Sequence, residues 1–477
     1  MTSIPPSTSF HAANEPIADA LVITICAYTP ATTAKQYGLL DREQHLYRRL
    51  CPSFKKVAFV TYGHGADHAV CADLLPEMAG RVMCICNDQE LEPGIFLGTV
   101  PGRVRSFLDG CRTAVVLSEQ HWGGDVAMQT TRELREAGLR VGLCARCGYH
   151  WSWTMAREHG TGSAEFAQAR FIEGELCRAA DVIVGTTPKI ISDLAFQHAL
   201  PRERVRLVPN FLITEQPAPP FATRTPGLIV TAGRLAREKR IDLLLRALAE
   251  LPDRHRSSAQ LIIVGSGPEE ASLRALADQL RLNTQFGNRL PHHELLTLMG
   301  QANIYAQLSE YEGHPKTVLE AMAMGAPTLV CDAPGMTDHV ADRQTGRVVP
   351  ASVESVARGL SELLDNPESA ASMGALGARH VRDALALDTI FPRFRQACID
   401  ALITAGTDRL MPASVVRWDQ SMLQLSPDSA AANWASSMEA FAKRLTPAAG
   451  EVFTKGIAAR LEGLIPSETL WATNDQA

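Results

Sequence analysis

The chain has 477 residues, 46% of them hydrophobic and 21% charged, with a formal net charge of −6. That length predicts two domains with a sizeable core plus extra segments, and the acidic balance argues against nucleic acid as a main partner. The longest apolar runs fall far short of the ~20 residues that cross a bilayer, and the eleven scattered cysteines read as reduced thiols.

Residues 1–18 are rich in Ser, Pro and Ala and are predicted to be a disordered arm. The start, Met1 to Pro6, lacks the basic and apolar regions of a signal peptide. A first domain is predicted over 19–212. Its strand candidates are Leu21 to Cys26, Lys56 to Thr61, Val82 to Cys86, Thr113 to Leu117, Arg140 to Cys144 and Asp181 to Gly185, with helices Asp41 to Leu50 and Ser163 to Ala180 among them. Such alternation implies a mostly parallel sheet covered on both faces. Arg42, Arg48, Arg49, Lys55 and Lys56 cluster near Leu46, Tyr47, Leu50 and Phe54. A peripheral membrane face is one reading of that cluster and a solvated helix face the other.

Cys144-x-x-Cys147-x-x-His150 has half of a zinc spacing and needs a second pair elsewhere. Cys84 and Cys86 lie in an apparent strand and are taken to point to opposite faces, so no metal is expected. Strand ends also offer Glu119, His121, Trp122 and Asp125 as one polar cluster, and His150 with Trp151 and Trp153 as another. The two tryptophans are either a sugar platform or core.

Pro217, Pro219, Pro220 and Pro226 mark a linker over 213–226. A second alternating domain is predicted over 227–390. Its strands are Leu228 to Ala232, Gln260 to Val264, Thr284 to Phe286, Ile304 to Ala306 and Thr328 to Cys331. Gly233, Gly265 and Gly287 follow strand ends, as does the loop before Glu312, so they line one crevice at the carboxyl edge. Arg234 and Lys239, after Gly233 and before an apolar helix from Ile241, are candidate anion-binding cations, with a solvated helix start as the other reading. Glu312 and Glu320 flank Gly313-His314-Pro315-Lys316-Thr317-Val318, which reads as a helix start with free amides for an anion. Were the span between the two carboxylates helical, it would cover roughly 12 Å at ~1.5 Å per residue. Residues 391–477 are predicted to be a helical C-terminal segment, without low complexity or internal repeats.

These motifs together resemble glycosyltransferase family 4, the retaining, nucleotide-sugar-dependent enzymes of GT-B fold. Glu312 to Glu320, running on to Gly325-Ala326-Pro327, is similar to the family's paired-Glu element. Gly233-Arg234 with Lys239 is similar to its donor-phosphate element. Val264-Gly265-Ser266-Gly267-Pro268, Phe286-Gly287-Asn288, Pro209-Asn210 and Thr345-Gly346 fall in the family's order. The likeness is dense from about 205 to 350, thinner before 200 and absent after about 400. It implies an α/β, GT-B fold: two Rossmann-like domains facing across a crevice, with an added, mainly helical C-terminal segment that partly crosses back to the first domain.

The resemblance further implies transfer of a sugar from a nucleotide-diphosphate sugar to a glycan, lipid-linked or small-molecule hydroxyl acceptor. The setting it implies is cytoplasmic, with the inner membrane face as an alternative, and no metal or cofactor is called for. Arg234 and Lys239 would hold the diphosphate, Glu312 the donor sugar, Glu320 the ribose, and the amides of Gly313 to Val318 the phosphates or sugar. His150 stands where the family places a His near the reacting sugar. His314 either tunes sugar choice or faces solvent, and Arg289 lies where the base should sit. The first strand's turn lacks the family's Gly-Gly, and Lys35 or Gly38 would have to substitute. Asp338 stands where Glu is usual, and Pro334-Gly335 replaces Gly-Gly. A sugar-nucleotide epimerase or a silent nucleotide-sugar-binding protein are the alternative readings.

Overall fold

The computed structural model describes residues 15–25, 29–36, 39–213, 217–288 and 290–405. The predicted arm before residue 15, and the tail beyond 405, lie outside the described residues, as do Gly38 and Arg289. Among the described residues, 15–151 and 172–405 belong to one compact unit that holds both sheets. Residues 152–171 belong to a second unit and contain most of the helix Trp151–His159 and the start of the helix Ala164–Ala179.

The first sheet is built from β1 (Ala18–Thr24), β2 (Phe54–Val60), β3 (Val82–Ile85), β4 (Thr113–Ser118), β5 (Arg140–Cys147), β6 (Val182–Gly185) and β7 (Val205–Leu207). Its order is β3-β2-β1-β4-β5-β6-β7, and every pairing is parallel. Such strands are buried on both faces, which is why they read as continuous apolar runs. Along β1, Leu21 and Ile23 enter one core with Val57 and Phe59. Ala20 and Val22 enter the opposite one with Ala58 and Val60. β5 runs on to Cys147, three residues past the predicted end at Cys144.

The second sheet holds β8 (Leu228–Ala232), β9 (Gln260–Val264), β10 (Thr284–Gly287), β11 (Ile304–Gln307), β12 (Thr328–Cys331) and β13 (Arg347–Val349). Its order is β10-β9-β8-β11-β12-β13, again parallel. The chain winds outward from β8 to β10, then resumes on the other side at β11. The order therefore reverses between β8 and β11, the place where open α/β sheets form their ligand crevice.

The predicted linker is anchored at its end. After a short turn at Phe221–Thr223, the buried Arg224 donates to the carbonyls of Met299, Gly300, Ala302 and Met324 at 3.1, 2.8, 3.0 and 2.6 Å. These are carbonyls around the ends of the helices His292–Gln301 and Lys316–Ala323, where helix carbonyls run short of backbone donors. At the far end, the helix Leu387–Thr404 packs on β4, β5 and β6 of the first sheet. Arg140 of β5 caps it by donating to Leu402 and Ile403 carbonyls, each at 3.1 Å. The last described helix thus covers one face of the first sheet.

Two readings are corrected here. Cys84 and Cys86 do not point to opposite faces. Residues two apart on a strand return to the same face, and both thiols enter the same core. The apolar members of the basic cluster, Leu46, Tyr47, Leu50 and Phe54, are at most 2% exposed. They belong to the core and offer no face for a bilayer. Lys55 pairs with Asp19 at 2.8 Å, Lys56 donates to the Phe107 and Asp109 carbonyls, and Arg49 pairs with Asp388. The side chain of Arg42 lies outside the described residues. No helix among the described residues is long and apolar enough to cross a membrane.

Candidate functional site

The crevice between β8 and β11 carries an ion pair at its centre. Lys239 closes a short helical turn after β8, and its Nζ lies 2.5 Å from Glu312 Oε1 in the loop after β11. Neither side chain is freely solvated, at 21% and 14% exposed, so both charges are held in place. Glu312 Oε1 also accepts from Gln307 Nε2 and Ser309 Oγ, both at 2.7 Å. Gln307 Oε1 in turn accepts from Thr317 Oγ1 at 2.7 Å. A carboxylate with three donors on one oxygen keeps its other oxygen for a further hydrogen bond.

Backbone bonds lock the loops together. Glu310 N–H donates to the Glu238 carbonyl at 2.7 Å, and Glu312 N–H to the Pro334 carbonyl at 3.0 Å. A Cβ on Gly335, whose φ is 79°, would stand 1.9 Å from the Glu312 carbonyl oxygen. Pro334-Gly335 therefore fits as it stands: the one glycine it keeps is the one the contact needs. Gly265, with φ of 141°, meets the Gly233 turn in the same way, its Cβ position 1.9 Å from the Gly233 carbonyl oxygen. The missing Cβ at Gly265 lets the two strand-end turns pack together.

The helix Lys316–Ala323 starts at Pro315. Glu312 to His314 are not helical, so the span to Glu320 is part loop and shorter in helix than the sequence spacing suggests. The first-turn amides of Lys316, Thr317 and Val318 have no carbonyl within the helix to bond. Glu320 faces His292 Nε2 at 3.1 Å. Arg234 is exposed beside the crevice and pairs with Glu238 at 2.7 Å. Glu238 is thereby held below the usual carboxylate range, with Arg234 and Lys239 outweighing its burial. His314 is buried at 8% and stacks edge-on against His339 with centroids 5.1 Å apart. The solvent-facing reading of His314 is thus overturned.

The first-domain candidates behave differently. Gly313 abuts the turn after β5, its Cβ position 3.5 Å from the Gly148 carbonyl oxygen and 3.7 Å from Tyr149. The ring of His150, one residue on, turns inward. It is 6% exposed and joins a buried carboxylate, Glu173. His150 Nε2 and His198 Nε2 each lie 3.2 Å from Glu173 Oε1, and His121 Nδ1 lies 3.4 Å from Oε2. Burial works to lower the His150 pKa, but Asp193 and Glu173 outweigh it and hold the value at about 9. His150 and His121 are therefore tied to Glu173 beneath the turn.

This arrangement makes stability pH-dependent. The His150 contribution is complete below its ordinary value of 6.5 and is lost as pH rises through about 9. Thermal unfolding followed from pH 7 to 10 should show Tm falling across that interval. Glu173→Gln, which removes the charge of the fully buried carboxylate facing His150, should flatten the fall.

Glu119 is also corrected. It lies in a buried ion cluster with Arg146 at 3.6 Å, while Arg146 donates to Glu43 at 2.7 Å and to Asn210 at 3.1 Å. Trp151 is 5% exposed and stacks on the half-buried Trp122, centroids 5.9 Å apart, so Trp151 has no open face for a sugar. Lys35 is a surface residue paired with Asp73 at 3.2 Å. The start of its helix, Ala31–Gln36, is held by a residue the sequence reading passed over. The fully buried Asp67 accepts from Ala31 N–H at 2.8 Å and from Thr32 N–H and Oγ1 at 2.9 and 3.0 Å. An aspartate carboxylate thus takes up the amides at the start of this helix. Cys144 and Cys147 enter opposite cores from β5, so the Cys-x-x-Cys-x-x-His run does not converge on one point.

Gln307, Ser309 and His292 were not singled out from sequence. A polar Gln closing the apolar strand Ile304-Tyr305-Ala306 is the one signal that marked any of them in advance.

Residues 213–380 match the family model described as "Glycosyl transferases group 1". A GDP-mannose-dependent monoacylated alpha-(1-6)-phosphatidylinositol monomannoside mannosyltransferase of Corynebacterium glutamicum is 35% identical over 167 residues, which is 33% of this chain and 43% of that protein. An alpha-D-kanosaminyltransferase of Streptomyces kanamyceticus is 27% identical over 215 residues, 42% of this chain and 55% of that one. The chain thus spans less than half the length of the mannosyltransferase. Among solved structures, sucrose-phosphate synthase from Thermosynechococcus elongatus superposes with a TM-score of 0.62 at 19% identity, covering 79% of this chain and 98% of that chain. Anabaena HepE in complex with UDP and glucose gives 0.61 at 15% identity, with the same coverage. The fold is GT-B.

Proposed function

We propose that this chain, whose residues 213–380 carry the domain of the group 1 glycosyl transferases, moves a sugar from a nucleoside-diphosphate sugar to a hydroxyl acceptor. The observation that carries this is the Lys239–Glu312 pair at the reversal of the second sheet, beside the amide-bearing start of Lys316–Ala323. A leaving nucleoside diphosphate gathers negative charge on its terminal phosphate. Lys239, fixed by Glu312, meets that charge without moving, and Arg234 adds a second cation from the crevice rim. The helix amides take up the remaining phosphate oxygens. Glu312 keeps an oxygen for a sugar hydroxyl, and Glu320 with His292 serves the ribose.

The acceptor docks on the first domain, near the turn Gly148–Tyr149 where the two domains approach. Closure there aligns the hydroxyl and removes water. Attack from the face of the departing phosphate, which takes the acceptor proton, gives retention of the anomeric configuration. Among relatives, one is named for a phosphatidylinositol monomannoside and another for 2-deoxystreptamine, so a lipid-linked acceptor at a membrane surface and a small soluble acceptor are both within the class.

The test is a thermal-shift screen against UDP-, GDP-, ADP- and TDP-sugars, followed by donor turnover. One base should raise Tm well above the others, and Glu320→Ala should remove most of that rise. No shift with any nucleotide sugar would overturn the reading. Binding without turnover on any acceptor or water would identify a silent binding protein instead.

A further inference from the structure

The edge of the first sheet holds a group of metal-ligating side chains that donor chemistry does not use. Cys84 and Cys86 project from β3 and its end to the same face. His68 stands above them on the helix Ala66–Leu74, and Asp88 follows in the next turn. His68 Nε2 and the two Sγ atoms all lie within 4.8 Å of one another. Cys86 Sγ is 3.5 Å from His68 Nε2 and 3.2 Å from Asp88 Oδ1, and His68 Nε2 is 3.0 Å from that same oxygen.

We propose that Cys84, Cys86, His68 and Asp88 form a structural zinc site that ties the helix Ala66–Leu74 to the edge strand β3. Zinc bonds of ~2.0–2.3 Å at tetrahedral angles place neighbouring ligand atoms roughly 3.3–3.8 Å apart. Three of the four donors already stand near that spacing, and Cys84 needs only a small inward movement. Two thiolates with one imidazole favour a borderline-soft divalent ion over magnesium or calcium.

The surroundings match what such sites need. Arg103 Nη2 lies 3.5 Å from Asp88 Oδ2 and its Nη1 donates to the Cys86 carbonyl at 2.7 Å, which orients both ligands. Thr61 Oγ1 lies 3.9 Å from Cys84 Sγ. Two thiolates, one carboxylate, Arg103 and a divalent cation together sum to zero charge. Cys86 is fully buried, whereas the side chains of His68 and Asp88 are 48% and 36% exposed, which leaves an entry path for the ion. The four ligands close the coordination sphere, so this metal takes no part in sugar transfer.

Full-length protein, purified without a polyhistidine tag and in reductant, should carry close to one zinc per chain by plasma mass spectrometry. Exchange with Co²⁺ should produce a thiolate charge-transfer band. Cys86→Ser, and the exposed-ligand variants His68→Ala and Asp88→Asn, should each weaken zinc by at least about tenfold. Cys111→Ser should leave it unchanged. His68 and Asp88 reach solvent, so their variants keep the test valid if Cys86→Ser fails to fold. Metal-free protein that also lacks the cobalt band would overturn the proposal. So would zinc retained in all three variants, or a Cys71–Cys84 disulfide found by mass mapping in protein that binds no metal.

Discussion

Lys239→Ala should lower turnover of a nucleoside-diphosphate sugar by about 10²–10³-fold while leaving the fold intact, the range found when one fixed transition-state donor is removed. The crevice fixes the ammonium 2.5 Å from Glu312. Arg234 is 58% exposed and bound to Glu238, so it is a poorer substitute. Removing Lys239 also leaves the Glu312 carboxylate with only Gln307 and Ser309 as donors among these contacts. Most of the loss should appear in kcat, because the charge Lys239 meets grows as the bond breaks. Lys239→Arg should recover part of it, since charge returns but the compact point charge does not. Steady-state kinetics with unchanged circular dichroism checks this. A change of only a few-fold in kcat would remove Lys239 from the chemistry.

Arg146→Met should destabilise the protein by about 3–5 kcal/mol, the cost of stranding buried charges. Arg146 is 5% exposed on β5. It binds Glu43 from the helix Leu39–Leu50, Glu119 from the end of β4, and Asn210 from the segment closing the first domain. Its guanidinium also lies over the Phe394 ring of the last helix at 5.7 Å. Methionine fills much of the volume but takes the guanidinium away from Glu43 and Glu119. Adding Glu43→Gln and Glu119→Gln should restore a large part of the stability, because the isolated charges are what cost most. Urea unfolding of the single and triple variants measures both effects. A triple variant no more stable than the single would locate the defect in packing.

The crevice between β8 and β11 was legible because its residues sit at fixed offsets from strand ends. Lys239, Glu312 and Glu320 follow β8 and β11 in one local pattern, and the parallel sheet gathers those ends without further instruction. The same logic failed for Glu119, His121 and His150. They also follow strands, but helices cover them, and their partners Arg146 and Glu173 come from elsewhere in the chain. Gln307 and His292 were missed for the same reason: a side-chain partner chosen by tertiary packing leaves no local trace. Asp67 was invisible as a cap because it lies 36 residues from the Ala31 amide it binds. The misreading of Cys84 and Cys86 came from strand geometry, since spacing of two restores the face.

The return of the helix Leu387–Thr404 to β4, β5 and β6 has a consequence for synthesis. A ribosome that has finished the first seven strands has not yet made the helix that covers this face of their sheet. At ~5–20 residues per second, the wait from residue 212 to 404 is roughly 10–40 s. During that interval an apolar sheet face stands open to chaperones and to other nascent chains. Early stop codons before residue 387 should therefore yield insoluble product even though the first domain's strands are all present.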